Sequence, residues 1–597
     1  MLDSRTVSRL SFLLLVVLAG CADRPAPTTA SAAASSAVVS AAERTISAIQ
    51  GADHRSPHEG ARVQTSGVVT AVTDGGDGFW IQDPEGDGDA ATSDGLFVAL
   101  EPVSVAVGEV VTVTGSVEER GRDRDLPVTT LVAEAVTRDG TAELPAPIGL
   151  GGRGRAIPSV VIDDDGLRRF DPNTDGIDYF ESLEGMRVAV HDVRIVGPTS
   201  RFGDAVGVAD GGRHASVSTP RGGLLQREGD ANPERLVFDP RITGELPTVD
   251  VGAHFESTVE AIVGYAFGHY RLHVTAVPTV APRAPLAREA TALCGGEGWT
   301  SVAAFNVLNL AATDPAEKFA ALAEVLVDGL GAPDLVGVQE VQDDDGAVGG
   351  DLDVADPTAT VTAEATWARL VDAVVEAGGP RYAWSQIDPV HRADGGRPGG
   401  NIRVGLLYRP DRFTVTTVER IEGAAFDADP ESGRGGSRKP LAVRVESAAG
   451  RELLLVVVHL SSKGGDDRAM GARQPPVRWS EVRRTAQAHA VRAYVDRVRA
   501  AEPTLEAIVL GDFNEHLDRA PSHVIAGGDW IQLLARLPSD ERYTYVYLGQ
   551  SQVLDQIVVT PGLADGAEID VVHCCAEFAD SNRASDHDPV VVRLRLE

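Results

Sequence analysis

Apolar residues recur along this chain with two different periods. Between residues 45 and 140 they come in short runs broken by Gly, Asp and Pro: ARVQTSGVVTAV, GFWIQD, GLFVAL, EVVTVTGSVEE and TTLVAEAV. Short runs rich in Val and aromatics, bounded by turn residues, predict strands. Five strands in about 95 residues suit a small barrel of the OB type. Residues 150–285 loosely repeat the plan. Glu59-Gly60-Ala61-Arg62-Val63 is echoed by Glu184-Gly185-Met186-Arg187-Val188, and Val105-Ala106-Val107-Gly108 by Val249-Asp250-Val251-Gly252. From residue 298 the pattern changes to strand-like runs alternating with helical spacing. Asp314-Pro315-Ala316-Glu317 predicts a helix start, with Asp as N-cap and Pro at the first position. Phe319, Leu322, Ala323 and Leu326 follow at helical intervals. A second helix carries Trp367, Leu370, Val371 and Val374, and a third runs from Ser480 to Arg499. This alternation predicts an α/β layered domain.

The first residues bear on compartment. Arg5 and Arg9 precede the apolar stretch Leu10–Gly20, which is too short to span a bilayer and fits the core of a signal peptide. It ends Leu18-Ala19-Gly20-Cys21, which resembles a bacterial lipobox and implies lipidation of Cys21. The expected organisation is a signal peptide (1–20), a lipid-anchored small-residue tether (21–43), an OB-like β module (44–145), a second β-rich, OB-like module (146–290) and the α/β domain (298–597). The protein is expected to be exported, held at the cell envelope or surface by lipid alone, and monomeric. Beyond Cys21 three cysteines remain, and a clasp between Cys294 and either Cys574 or Cys575 is expected, the partner left open.

Charge narrows the partners. A net charge of −34 excludes a coat-like nucleic-acid binder, which needs a positive surface. It does not exclude an enzyme that meets phosphate through metal ions. Against that background Lys463 to Arg499 holds nine Lys/Arg and four Asp/Glu. Lys463, Arg473, Arg483 and Arg484 are candidates for phosphate contacts. The acidic run Asp83 to Gly95 is a candidate for a structural Ca²⁺, although it lacks the EF-hand ligand order. One of Phe79 and Trp80 could stack a base.

Within the α/β domain, strand-like runs end in polar clusters: Asn306 after VAAF, Gln339-Glu340 after LVGV, His459 in LLLVVVHL, Gly511-Asp512-Phe513-Asn514 after AIVL, and Asp555 in VLDQIVV. Ser585-Asp586-His587-Asp588 follows near the end. Burying carboxylates beside apolar strands costs several kcal/mol unless something pairs with them, so several together point to a shared cation. All-oxygen ligands suit Mg²⁺ or Mn²⁺. His587 beside Asp555 or Asp586 is a candidate oriented base.

Taken in order, these motifs resemble the endonuclease/exonuclease/phosphatase superfamily of deoxyribonuclease-I-like fold, and more narrowly bacterial extracellular nucleases with OB-like modules ahead of the catalytic domain. The resemblance implies a four-layer α/β sandwich and metal-dependent phosphoester hydrolysis. It implies Glu340 as the main metal ligand, helped by Asn306 and Asp586. Asp512 would hold or activate the attacking water, Asn514 would bond the phosphate, and His587 would act as base or electrostatic stabiliser oriented by Asp555. His459 would donate to the phosphate or leaving group, and which histidine is acid and which base stays open. The family places an acid behind the equivalent of His459. Here that region reads Gly400-Asn401-Ile402-Arg403, so Asn401 stands as substitute orienter and candidate phosphate contact, or His459 is held otherwise. The expected activity is endonucleolytic cleavage of DNA, with RNA left open as a second substrate, leaving 5′-phosphate ends. The alternatives are a phosphoesterase acting on phospholipid or inositol phosphate, and an inactive nucleic-acid-binding protein.

Overall fold

The computed structural model describes residues 41–347, 358–395, 397, 399–429 and 435–596. The expected signal peptide, Cys21 and all but the end of the expected tether lie outside the described residues. Ala41–Glu597 forms one compact unit. No described helix is long and apolar enough to cross a membrane.

The five runs read as strands from the sequence are strands: Arg62–Val72, Gly78–Gln82, Gly95–Ala99, Glu109–Arg120 and Val128–Thr141. Each pairs with two of the others, and the pairing returns to its start where Val63 lies opposite Gly115 and Val68 opposite Val110. Alternate residues Val111, Val113 and Val117 share a core with Ile46, Phe79, Leu96 and Leu131. Phe79 is enclosed there. Trp80 faces the other way and packs on Phe97 and His273, with ring centroids 5.0 and 5.4 Å away. Both rings are buried, so neither is free to stack a base as expected.

The next sheet has seven strands in the order Ile148–Leu150, Arg187–Val190, Val259–Ala266, His269–Val274, Leu236–Asp239, Ala205–Val208, Arg194–Gly197. The sequence echo has a local cause. Gly60 and Gly185 both adopt φ of +76°, a conformation glycine reaches without strain, and each precedes a strand that opens at an arginine. Gly185 also touches the first sheet backbone to backbone. A Cβ on Gly95 would sit 2.2 Å from the Gly185 carbonyl carbon.

In the last 300 residues two six-stranded sheets face one another. In one, strands β1 (Thr300–Leu310) and β2 (Leu335–Val341) are parallel neighbours. In the other, β3 (Glu452–His459) runs parallel to β4 (Glu506–Asp512), which pairs antiparallel with β5 (Asp555–Val559). Along β3, Leu453, Leu455 and Val457 fill the core between the sheets, while Leu454, Val456 and Val458 face an outer layer. Burial on both faces explains why this strand reads as an unbroken apolar run. Helices Ala316–Glu324 and Glu364–Glu376 cover one sheet, and Trp479–Ala501 and Ala520–Ala526 the other. The first helix starts one residue later than expected. Pro315 is its N-cap, and the Asp314 carboxylate instead accepts from Lys318 Nζ at 2.8 Å and from the Ala311 amide at 3.0 Å.

Candidate active site

Strand register gathers the polar clusters. Asn306 lies opposite Gln339, the residue before Glu340. On the facing sheet His459 lies opposite Asp512, and Asp512 opposite Asp555. The last residues of β3 and β4 and the first of β5 therefore form one row. The chain then leaves regular geometry. Glu340 has φ of 65°, Asn514 52°, Leu308 52° and Asn309 51°. Left-handed backbone at such residues costs roughly 1–3 kcal/mol each and persists only where the surroundings enforce it.

Hydrogen bonds show what enforces it. The Asn309 amide donates to Glu340 Oε2 at 2.9 Å, and Asn306 Nδ2 to Glu340 Oε1 at 3.2 Å. The Asn514 amide donates to Asp512 Oδ1 at 2.7 Å. The other oxygen, Asp512 Oδ2, accepts from Asn514 Nδ2 at 3.1 Å and Asn306 Nδ2 at 3.4 Å, and faces two imidazoles, His459 Nε2 at 3.3 Å and His587 Nε2 at 4.0 Å. Asp555 Oδ2 holds His587 Nδ1 at 2.7 Å, which turns Nε2 towards Asp512. Ser585 Oγ donates to the Asn306 carbonyl at 2.6 Å and ties the segment bearing Asp586 and His587 to β1.

These groups shift one another. Burial pushes the Asp512 carboxyl up to about 7, against the pull of His587 and with the help of Asp555 and Glu340. Burial, then the charge of Asp586, raises Glu340. Burial keeps His459 well below the usual imidazole range, and Arg438 and His587 lower it further. Burial would also lower His587, but Asp555, Asp512 and Asp586 together carry it well above that range. One imidazole is therefore neutral and the other charged, on either side of a single carboxylate oxygen.

Residues 303–587 form an endonuclease/exonuclease/phosphatase family domain. Residues 149–282 match a family described as a domain of unknown function (DUF8508). Among solved structures, an endonuclease/exonuclease/phosphatase family protein from Bacteroides thetaiotaomicron shares 16% identity at a TM-score of 0.33, covering 50% of this chain and 94% of its own. The human Nocturnin catalytic domain shares 18% at 0.34, covering 50% and 95%. D. rerio TDP2 with a single-strand DNA product shares 20% at 0.32, covering 50% and 98%. No curated protein matches the chain.

Other expected residues of the endonuclease/exonuclease/phosphatase domain lie in varied settings. Asp586 is half-buried, and its charge bears on Glu340 and His587. Both amide hydrogens of Asn514 are spent, on the Leu460 carbonyl and on Asp512, so it orients Asp512 instead of presenting a phosphate donor. Asn401 does not orient His459. It is buried and gives its amide to Asp343 Oδ2 and the Thr360 carbonyl, each at 2.7 Å, while His459 Nδ1 is buried without a hydrogen-bond partner. Lys463 Nζ donates to Gln552 Oε1 at 2.9 Å, and burial lowers it to about 8. Arg484 is fully buried against Glu515 at 2.7 Å, which removes it as a phosphate contact. Arg483 Nε donates to the Ala425 carbonyl at 3.2 Å. Arg473 is exposed, 3.3 Å from Asp467.

Three contributors to this domain carried no sequence signal. Arg438 donates to the Leu460 carbonyl at 2.8 Å and sits within electrostatic reach of Glu340 and Asp512. Thr544 Oγ1 accepts the Leu554 and Asp555 amides at 3.0 and 3.1 Å. The Tyr545 ring lies 4.8 Å from that of His587. Each belongs to a segment without a recognisable motif. The expected cysteine clasp is absent, since Cys294, Cys574 and Cys575 are all free, the first exposed and the other two buried. Cys574, Cys575 and Asp588 make the one described group of three metal-ligating atoms within 4.8 Å of one another. Asp588 already accepts three backbone amides, from Cys574, Cys575 and Ala576, and contacts His573 Nδ1, so its role is to fold this turn. A cavity of about 590 Å³ lies elsewhere, between the first two sheets, lined by Trp80, Phe97, Arg241 and His273.

Proposed function

We propose that this protein is an exported, divalent-metal-dependent endonuclease that hydrolyses phosphodiester bonds in DNA, leaving 5′-phosphate ends, with RNA a second candidate substrate. The observation that carries the reading is the single Asp512 oxygen facing two imidazoles and two amides at the mouth of an endonuclease/exonuclease/phosphatase domain. The donor chemistry fits Mg²⁺ or Mn²⁺. Glu340, with Asn306 and Asp586, would hold the ion through oxygen atoms, and Mg²⁺ typically takes one or two carboxylates and keeps several waters. Burial first, and neighbouring carboxylates after it, displace Asp512 and Glu340 upward, and a bound cation would favour their ionised forms. When bound, such an ion stabilises charge on the transferring phosphoryl group and lowers the pKa of water.

The chain's own groups then have distinct tasks. Asp512 Oδ2 receives the proton of the attacking water. His587 Nε2, fixed through Nδ1 by Asp555, stabilises the negative charge that develops beside it. His459 Nε2, on the other side of Asp512, bonds the phosphate or the departing 3′ oxygen. Fixed donors of this kind are each worth ~2.7–4 kcal/mol in comparable sites. The closed pairing of the first five strands supports an OB-like barrel ahead of the catalytic domain, and the lipobox-like Cys21 supports a lipid anchor at the cell envelope.

The test is a soluble form beginning at Ala22, incubated with supercoiled plasmid and Mg²⁺, with and without chelator. Nicking that disappears with chelator, and in Asp512→Ala and His587→Ala proteins, is the expected result. Intact plasmid with Mg²⁺, Mn²⁺ and Ca²⁺, from folded protein, would refute the nuclease reading and favour phospholipid or inositol phosphate as substrate, or binding without turnover.

A further inference from the structure

A line of rings leads out of the site. Tyr545 lies 4.8 Å from His587, and Tyr547 6.5 Å beyond Tyr545 with the two planes 11° apart. Tyr547 is 44% exposed, and Arg468 Nη1 reaches its hydroxyl at 3.4 Å. Arg468 belongs to the loop that follows His459, and that loop is built into the rest of the molecule. Its Met470 is buried in the core of the middle module with Leu126 and Tyr270. Tyr265 Oη donates to the Met470 carbonyl at 2.8 Å, and the Ala472 amide to the Arg124 carbonyl at 3.0 Å. Arg124, from the first module, donates to the Gly465 carbonyl at 3.0 Å.

One carboxylate organises the outer face of this loop. Asp467, whose side chain is buried, lies 3.4 Å from Trp479 Nε1, 3.3 Å from Arg473 Nε and 3.8 Å from Arg124 Nη1. It fixes two guanidinium groups and an indole that all face solvent, and Arg473 sits 5.6 Å over the Trp479 ring. A half-exposed Trp and Tyr among three arginines stand out on a chain of net charge −34. Guanidinium forks match phosphate oxygens, and exposed aromatic rings offer a face to any base. That alternation suits a strand of phosphates and bases more than a lone sugar phosphate or an acyl chain.

We propose that Arg124, Arg468, Arg473, Trp479 and Tyr547 form a surface that holds the polynucleotide strand leading away from the scissile phosphate, with a base seated on Tyr547. The inference rests on the nuclease reading and adds that the first module completes the substrate groove of the last.

The experiment compares the protein from Ala22 with Tyr547→Ala, Trp479→Ala and Arg124→Ala/Arg468→Ala variants on two substrates, a single-stranded oligonucleotide and bis(p-nitrophenyl) phosphate. The ratio of oligonucleotide to small-diester kcat/KM is expected to fall about tenfold in each aromatic variant, through KM. Tyr547→Phe and Trp479→Phe are expected to restore it, because stacking needs the ring alone. The double arginine variant should flatten the salt dependence of KM. An unchanged ratio, or equal loss on both substrates, would overturn the proposal. Anisotropy of a labelled oligonucleotide on Asp512→Ala protein separates the two readings. Binding that weakens in the Tyr547→Ala background supports the surface even if the wild type cleaves nothing. Oligonucleotide cleavage with an unchanged KM in every surface variant leaves the nuclease and removes the surface.

Discussion

The middle module and the end of the α/β sandwich both bury clusters of acids, and they resolve the cost differently. The acids of the middle module meet His54 and Thr129 of the first: His54 Nε2 lies 2.7 Å from Asp178 Oδ1, the Thr129 amide donates to Glu184 Oε1 at 3.1 Å, and within the middle module Tyr270 donates to Glu181 Oε2 at 2.5 Å. Burial pushes Glu181 up to about 7 and Glu184 well above the usual range, and a tyrosine hydroxyl and a backbone amide take up their oxygens. At the sandwich end the partners of the acids are themselves reactive groups. One oxygen of Asp512 faces four nitrogens, Glu340 and Asn514 sit on left-handed backbone, and His459 Nδ1 has no partner. Acid burial alone therefore does not mark a site. One carboxylate oxygen facing several nitrogens, on strands that end in enforced left-handed backbone, does.

Four changes would break or sharpen this contrast. Asp512→Ala is expected to cut kcat on plasmid by about 10³-fold, the scale set by losing a group that acts on the reacting atoms. Its unfolding midpoint should match or exceed that of the wild type, because a crowded carboxylate serves activity at the expense of stability. A kcat within threefold of wild type would refute the assignment. Asp555→Asn keeps the shape beside His587 and removes the charge. It should cost about 10–100-fold in single-turnover rate, as outer partners of a reactive group do, and no loss would show that His587 is held otherwise.

Where the first two sheets meet, Gly95→Ala forces a Cβ onto the Gly185 backbone. Overpacking of this kind costs about 1–3 kcal/mol, read from the denaturant midpoint. The smallest effect concerns pH. Glu181 is raised in the folded state, so the native protein binds more protons than the unfolded chain between the ordinary glutamate value and about 7. Stability should fall as pH rises through that window and level off above it. Glu181→Gln keeps an acceptor for Tyr270 and should flatten that slope without altering activity. An unchanged slope would place the pH dependence elsewhere.

Much of the architecture was legible before any coordinates. The five strands of the first sheet were readable because Val-rich alternation is imposed by a one-sided core. The four layers were readable because β3 and β4 are apolar on both faces while their helices keep a one-sided stripe. His459, Asp512 and Asp555 were readable because each closes or opens a strand, and Asn306, Glu340 and His587 because each stands in a short polar motif within or beside one. The surroundings of that row were not. Asn401 looked like the missing orienter of His459, yet it spends its amide on Asp343 and Thr360. Arg484 looked like a phosphate contact, yet it is a buried partner of Glu515. Arg438 and Thr544 had no motif at all.

By itself, then, the sequence determined which residue types stand at the strand ends, because strand periodicity and burial are local constraints written into neighbouring positions. The tertiary structure alone decided which oxygen is shared, which arginine is spent inside the core and which module reaches the loop after His459. Those outcomes depend on contacts between residues tens to hundreds of positions apart, such as Arg484 with Glu515, Arg124 with Gly465 and Asn306 with Ser585, and no local pattern encodes them.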